Sequence, residues 1–306
     1  MNIIVFGGTG FFGKAFVSEL KKQDDINIYT IVRKQSDRNL ASQYFLYEDV
    51  DELIKKNIAY DLAIDFASHV SVDDFLADPQ EAFLNNLKIP MNNIKFLNNL
   101  SFVGNYIYVS TDRAILDIGN ADSIVNVKIS NDPYGASKLV GEIIVRYCSS
   151  LREGSSTIAR FPNIYGPGQT SRQLIPTIVD KLNRGDHMIE LASLNGERNY
   201  LFITDAVSAL IKLVTRSCDE SEVCISGENI TIKMILESFE QACLKKYNRR
   251  INFIADSSKP LRMDYKIPPE TLDDSFFRDK YDWKPMVDLE QGILLTLQEG
   301  NKYENK

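Results

Sequence analysis

The chain has 306 residues, enough to bury one large hydrophobic core or two smaller ones. Hydrophobic residues at 44% and charged residues at 25% suit a globular enzyme, and a formal net charge of −7 argues against a nucleic-acid surface, which calls for a basic face. Four cysteines without C-x-x-C spacing and only two histidines argue against a zinc site, and no apolar run approaches the roughly 20 residues of a membrane helix.

The chain opens on an apolar run, Ile3 to Phe6, with no basic-then-apolar leader. A cytoplasmic protein with free thiols, no metal, and no membrane or nucleic-acid partner is therefore expected. The run suits a strand buried on both faces. Gly7, Gly10 and Gly13 follow at spacing three, ahead of a helical pattern through Ala15, Phe16 and Leu20. A pyrophosphate needs this combination: a tight turn, a backbone it can approach, and a helix N-terminus with free N–H groups. Gly7, Thr9, Gly10, Phe11, Phe12 and Gly13 are therefore candidate cofactor-binding residues, and Gly13 lets the helix pack close to the strand.

Ile26 to Val32 alternates and is rich in β-branched residues, which predicts a second strand closing on Arg33-Lys34. In a dinucleotide fold an acid at this place binds the ribose 2′-hydroxyl of NAD, whereas an arginine suits the 2′-phosphate of NADP. Arg33 and Lys34 favour NADP(H), with NAD(H) as the alternative and a solvated basic pair at a strand end as the plainer reading. Tyr44 to Tyr47 reads as a third strand, Val50 to Asn57 as a short helix, and Leu62 to Ala67 as a fourth strand. Ala67, Ser68 and His69 lie at its C-terminal end, the edge where parallel sheets bind ligands. Ala67 and Ser68 are candidate cofactor contacts; His69 faces cofactor or substrate, with substrate preferred, or is a histidine that satisfies local hydrogen bonds only. Pro79 to Leu100 is a long amphipathic helix carrying Asn85 and Asn86, and Tyr106 to Ser110 a fifth strand. Alternating strands and helices imply a parallel, doubly wound sheet.

Ser110-Thr111-Asp112 closes the fifth strand, and Tyr134 to Lys138 opens the next helix after Pro133. A tyrosine and a lysine four apart share a helix face. An ammonium near a phenol favours the phenolate and lowers a pKa that starts near 10, which makes the tyrosine usable as a proton donor or acceptor near neutral pH. A Thr111 hydroxyl holds the substrate oxygen in line with it. Of the 14 tyrosines, only Tyr134 has a lysine four residues on.

These segments resemble an extended short-chain dehydrogenase/reductase of the nucleotide-sugar-modifying kind, over nearly the whole chain. The glycine loop matches the family's cofactor loop, and Thr111, Tyr134 and Lys138 match its catalytic triad. Arg160-Phe161-Pro162-Asn163-Ile164-Tyr165-Gly166-Pro167 matches its Arg-x-x-Asn-x-Tyr-Gly-Pro signature. Gly196 to Asp205, Leu261-Arg262-Met263-Asp264 and Tyr281 to Pro285 resemble three further family segments. The resemblance implies that Pro162 lies on the nicotinamide side, that Asn163 reaches the nucleotide-sugar phosphates, and that Arg198 and Arg262 grip the diphosphate. Asp112 and His69 fall on the substrate side. It also implies an α/β, Rossmann-type doubly wound parallel sheet with a smaller C-terminal α/β substrate-binding domain. Residues 1–161, with strands returning near Tyr200 to Thr215 and Val223 to Ser226, make the cofactor domain; 162–199 and 227–306 make the cap. A homodimer through helices 79–100 and 134–150 is implied as well, although faces that only cover the sheet account for the same pattern.

Among the reactions of such enzymes, 4,6-dehydration uses a glutamate after Thr-Asp to eliminate water, and here that position is Arg113. Retained-NAD 4-epimerases usually have an acid closing the second strand, where this chain has Arg33. A double epimerase-reductase needs a cysteine and histidine acid/base pair, and none is evident. A single hydride delivered to a 4-keto-6-deoxy nucleotide sugar needs only the residues present, as in the making of deoxy sugars for surface polysaccharides. The alternative is a 4-epimerase or 4,6-dehydratase with retained NAD, and a third reading is a non-catalytic NADP-binding regulatory subunit.

Overall fold

The apolar run at the start of the chain forms strand β1 (Asn2–Phe6), and the glycine turn leads from it into helix α1 (Phe11–Leu20). The computed structural model describes residues 1–34, 43–69, 75, 77–114, 116–119, 126–129, 133–151, 153–170, 173–216, 219–256, 258 and 272–300. Next come β2 (Asn27–Val32), β3 (Tyr44–Leu46), a 3-10 turn at Tyr47–Asp49, α2 (Val50–Lys55) and β4 (Leu62–Asp65). After them stand α3 (Pro79–Asn99), β5 (Asn105–Thr111), a hairpin of β6 (Leu116–Gly119) and β7 (Asn126–Ile129), α4 (Pro133–Ser150) and β8 (Ser155–Phe161). The C-terminal part holds β9 (Asn163–Tyr165), α5 (Leu174–Asn183), β10 (Met188–Leu191), β11 (Glu197–Phe202) and α6 (Ile203–Thr215). It ends with β12 (Glu222–Cys224), β13 (Glu228–Thr231), α7 (Ile232–Tyr247), β14 (Asn252–Ala255), α8 (Ser275–Tyr281) and α9 (Leu289–Gly300).

Seven of these strands form one parallel sheet in the order β12-β8-β5-β4-β1-β2-β3. The chain winds outward from β1 to β3, then crosses back to β4 and winds the other way. The order therefore reverses between β1 and β4, and the crevice beyond their C-terminal ends is the place such a sheet offers a ligand. Side-chain alternation gives the sheet two buried faces. Ile3 and Val5 join one core with Phe16, Val17, Leu20 and Ile107, whereas Ile4 and Phe6 join a second with Phe96, Leu97, Tyr106 and Tyr108. The doubly wound α/β class expected from the sequence is the fold observed.

The first of these cores runs on without a break into the C-terminal part, through Tyr165, Phe202, Phe239 and Trp283. There β9, β11 and β13 make a mixed three-stranded sheet, and β10 pairs with β14 in parallel. Three sequence expectations shift. Residues 203–215, read as part of a returning strand, are helix α6: the buried positions Ile203, Ala206, Val207, Leu210, Leu213 and Val214 have the 3.6-residue period, and the helix packs against α1. The strand expected to reach Ala67 stops at Asp65, whose carboxylate accepts the Ala67 N–H at 2.8 Å and turns the chain. Tyr47, expected to end the third strand, begins the 3-10 turn.

Gly13 shows how tightly the first turn is closed. A Cβ there would overlap the Gly7 carbonyl oxygen and lie 2.9 Å from Gly8 Cα, both backbone atoms. Gly13→Ala is therefore expected to lower the unfolding free energy by about 1–3 kcal/mol, the usual cost of overpacking, measured by urea denaturation. An unchanged midpoint would mean that the turn gives way more readily than the packing implies.

Candidate active site

The glycine turn sits at the reversal point of the sheet. Gly7 has φ +70, a conformation that favours glycine, and a Cβ on it would lie 2.6 Å from the Ala67 backbone nitrogen. The Gly10 N–H closes the turn on the Gly7 carbonyl at 3.1 Å, and no side chain caps the N-terminus of α1. Side-chain-free backbone and the uncapped first-turn amides form a cradle that fits a dinucleotide pyrophosphate. Thr9 lies in this turn, Phe11 opens α1, and the Phe12 ring packs edge-on against Phe66 and Phe161 at 5.0 and 5.1 Å. Arg33 and Lys34 are exposed just past the end of β2, at the same edge of the sheet.

Beyond β4, one side chain ties three segments together. Asn86 of α3 accepts from the His69 N–H at 2.6 Å and the Ser68 hydroxyl at 3.4 Å. Its amide donates to the His69 carbonyl at 3.0 Å and to the Ser137 hydroxyl at 2.9 Å, and that hydroxyl donates to the Tyr134 carbonyl at 2.7 Å. The loop carrying Ser68 and His69 is thus fastened to the first turn of α4. The His69 and Tyr134 rings both lie against Phe75, at 6.1 and 6.3 Å. The sequence placed Asn86 on this helix without a role, yet a signal for one existed: α3 buries Ala82, Asn86, Pro90, Asn93 and Leu97 along one face, and asparagines on an otherwise apolar stripe need partners.

Thr111 ends β5, and Tyr134 and Lys138 stand one turn apart on one face of α4. Lys138 is 2% exposed; its Nζ donates to the Val109 carbonyl at 2.8 Å and lies 3.9 Å over the Tyr108 ring. Burial pulls its pKa down to about 8, opposed by the carboxylates of Asp65 and Glu142. Asp65, fully buried at the end of β4, is held by Tyr106 at 2.5 Å and Asn93 at 2.7 Å.

One turn beyond Lys138, Glu142 is 1% exposed and forms an ion pair with Arg160 of β8, at 2.9 and 2.6 Å. It also accepts the Ser110 hydroxyl at 2.5 Å, and Arg160 reaches on to Glu222 at 2.7 Å. Arg160 opens the signature turn, in which Pro162 is buried between β8 and β9.

The substrate-side candidates gather beyond this turn. Asn163 accepts from the Arg113 guanidinium at 3.3 Å and donates to the Asn199 carbonyl at 3.0 Å. Asp112 accepts the Thr111 hydroxyl at 3.0 Å. Burial pushes the Asp112 carboxyl up to about 6, although the Arg113 and Arg198 charges both favour its ionised form. Thr111 and Asp112 are in contact, Arg198 lies within electrostatic reach of Asp112, and Arg113, which in sequence served only to exclude a base, links this turn to Asn163. Arg262 lies outside the described residues. Among the described residues no group of three or more His, Cys, Asp or Glu side chains is placed to hold a metal ion, and no helix is long and apolar enough to cross a membrane.

Residues 3–224 match the model of the NAD dependent epimerase/dehydratase family. The chain belongs to that family. The resemblance drawn from its motifs, to extended short-chain dehydrogenases/reductases of the nucleotide-sugar branch, is borne out. The chain is 26% identical to a dTDP-4-dehydro-6-deoxyglucose reductase of Escherichia coli, across 95% of each chain. Its fold is like that of a UDP-glucose 4-epimerase of Thermotoga maritima solved with UDP-glucose, with a TM-score of 0.79 at 20% identity over the full length of both chains. It is equally like RMD of Pseudomonas aeruginosa complexed with NADPH, with a TM-score of 0.78 at 18% identity over 98% of this chain and 99% of that one. Family membership makes the protein an enzyme of the nicotinamide-dependent class.

Lys138 also carries a stability signature. Its folded pKa of about 8 lies below the ordinary 10.5, so between these values the unfolded chain binds the extra proton and the residue's contribution to stability rises with pH. Lys138→Met removes that term. The variant's advantage in unfolding free energy over wild type is expected to shrink by about 3 kcal/mol as pH rises through that window, measured by denaturant titration. A constant difference would show that burial does not depress the Lys138 pKa.

Proposed function

We propose that the protein is an NADPH-dependent reductase of a 4-keto-6-deoxy nucleotide sugar, making an activated deoxy sugar for surface polysaccharide synthesis in the cytoplasm. The observation that carries this reading is Arg113: the position two residues after Thr111, where dehydration would need a base, holds a guanidinium bonded to Asn163. The length-matched relationship to the E. coli reductase supports it, and the exposed Arg33 at the end of β2 supports the 2′-phosphorylated cofactor.

In this reading the N-terminal sheet holds the cofactor on Gly7 to Gly13, Arg33, Lys34, Ala67, Ser68 and Pro162. The C-terminal part, residues 162–199 and 227–306, grips the nucleotide sugar through Asn163, Arg198 and Arg262, bidentate guanidinium being well shaped for a diphosphate. The bound reduced nicotinamide supplies a hydride to the carbonyl carbon. Tyr134 gives its phenolic proton to the carbonyl oxygen as that oxygen gains charge, and the Lys138 ammonium stabilises the phenolate left behind. Thr111 orients the oxygen toward Tyr134.

Two copies pair through α3 and α4. These helices pack along each other and leave Leu84, Met91, Ile143 and Tyr147 exposed. Such side chains on adjacent helices suit a self-complementary two-fold contact.

The purified protein is expected to hold no dinucleotide, to bind NADPH at least about tenfold more tightly than NADH, and to oxidise NADPH when given a 4-keto-6-deoxy nucleotide sugar. Arg33→Ala should erase most of that preference. Stoichiometric retained NAD would move epimerase or dehydratase chemistry to the front. In light scattering the wild type is expected to run as a dimer and Tyr147→Glu as a monomer; a monomeric wild type overturns the pairing.

A further inference from the structure

We propose that Asp112 is a positioning residue whose protonation sets the direction of the Thr111 hydroxyl, so that Thr111 donates to a keto oxygen only when Asp112 carries a proton. The inference rests on the reductase reading for its substrate and on local geometry for its physics.

A threonine hydroxyl has one hydrogen to donate and two lone pairs to accept with. Thr111 Oγ1 lies 3.0 Å from Asp112 Oδ1, and the Arg113 backbone N–H donates to it at 3.3 Å. An ionised carboxylate can only accept, so with Asp112 charged the Thr111 hydrogen points at Asp112. The remaining lone pair then suits a substrate hydroxyl. A keto oxygen brings only lone pairs and finds no donor there. With a proton on Asp112 the bond reverses: the carboxyl donates to Thr111 Oγ1, which still accepts from Arg113, and the Thr111 hydrogen is released toward the keto oxygen. Each group in that second arrangement has a partner of the right sense.

The surroundings let Asp112 change state near physiological pH. It is 9% exposed, and its own N–H donates to the Phe161 carbonyl of β8 at 2.9 Å. Arg113 on the same turn and Arg198 on β11 favour the charged form, as do the Thr111 hydroxyl and the Arg113 N–H, but burial outweighs them and places the carboxyl at about 6. Lys138, the buried cation of α4, donates to the Val109 carbonyl. Lys138 titrates at about 8 and so keeps its charge while Asp112 changes.

The first test is the pH profile of kcat/KM for keto reduction between pH 5.5 and pH 7. Wild type is expected to lose on the order of tenfold across that window, following a single ionisation near pH 6. Asp112→Asn, whose amide donates to Thr111 at every pH, is expected to be flat there. An Asp112→Asn profile that keeps the wild-type break overturns the proposal. A second measurement needs no turnover: the Asp112 carboxyl is titrated by carbon NMR in wild type and in Thr111→Val. Losing a donor to the ionised form should move the midpoint up, and an unmoved midpoint also overturns the proposal. If wild type reduces no keto nucleotide sugar at any pH, the reductase reading falls, and the carboxyl titration still decides whether Thr111 and Asp112 are linked.

Discussion

The site depends on one ion pair, the buried Glu142 with the half-buried Arg160. Each ion costs several kcal/mol to remove from water, and such a pair holds only when its remaining hydrogen-bonding capacity is met. Here it is met. One Glu142 oxygen takes the Ser110 hydroxyl and Arg160 Nε, the other takes a terminal Arg160 nitrogen, and the remaining Arg160 fork reaches Glu222. Four elements are pinned by one cluster: α4 through Glu142, β5 through Ser110, β8 through Arg160 and β12 through Glu222. Lys138 and Tyr134 are one and two turns back along the same face of α4, while Thr111 follows Ser110 and the signature turn follows Arg160. Fixing the pair therefore fixes the candidate triad against the turn that faces it.

The opposite wall of the cleft is fastened by neutral groups. Asn86 spends both ends of its amide on Ser68, His69 and Ser137. Pro90, four residues later in α3, lacks the N–H that would bond the Asn86 carbonyl, so the helix is locally weaker where its side chain makes these cross-links. Asn93, one turn further on, donates to the buried Asp65. A helix that in sequence reads as an amphipathic cover is thus also the polar brace of the sheet's C-terminal edge.

What the sequence disclosed and what it withheld divide by distance along the chain. The glycine turn and the Tyr134 and Lys138 pair are local patterns whose spacing has a physical meaning without knowledge of the fold, and the Arg160 to Pro167 signature is a local pattern legible by resemblance. The Glu142–Arg160 pair, the Asn86 bridge and the Arg113 contact to Asn163 are long-range, because they depend on which strands become neighbours. Nothing local to Glu142 marks it as buried; it becomes so because β5 and β8 enclose it. The strand read across residues 203–215 was a different kind of miss, since the spacing of Ile203, Val207, Leu210 and Val214 was legible as helical. There the expectation of a returning strand outweighed the period of the residues.

The packing of α1 on α6 has a consequence for how the protein is made. Helix α1 is complete once Leu20 leaves the ribosome, but α6 is not available until Thr215 has been added. In the interval part of the first helix's apolar face has no native cover, and the edge strand β12 is later still. Nascent chains of this length expose such surfaces to aggregation, and folding by long-range closure is slow. The glycine turn, first in sequence, is thus among the last parts of the molecule to gain its full support, and chaperone demand should fall on the first two-thirds of the chain.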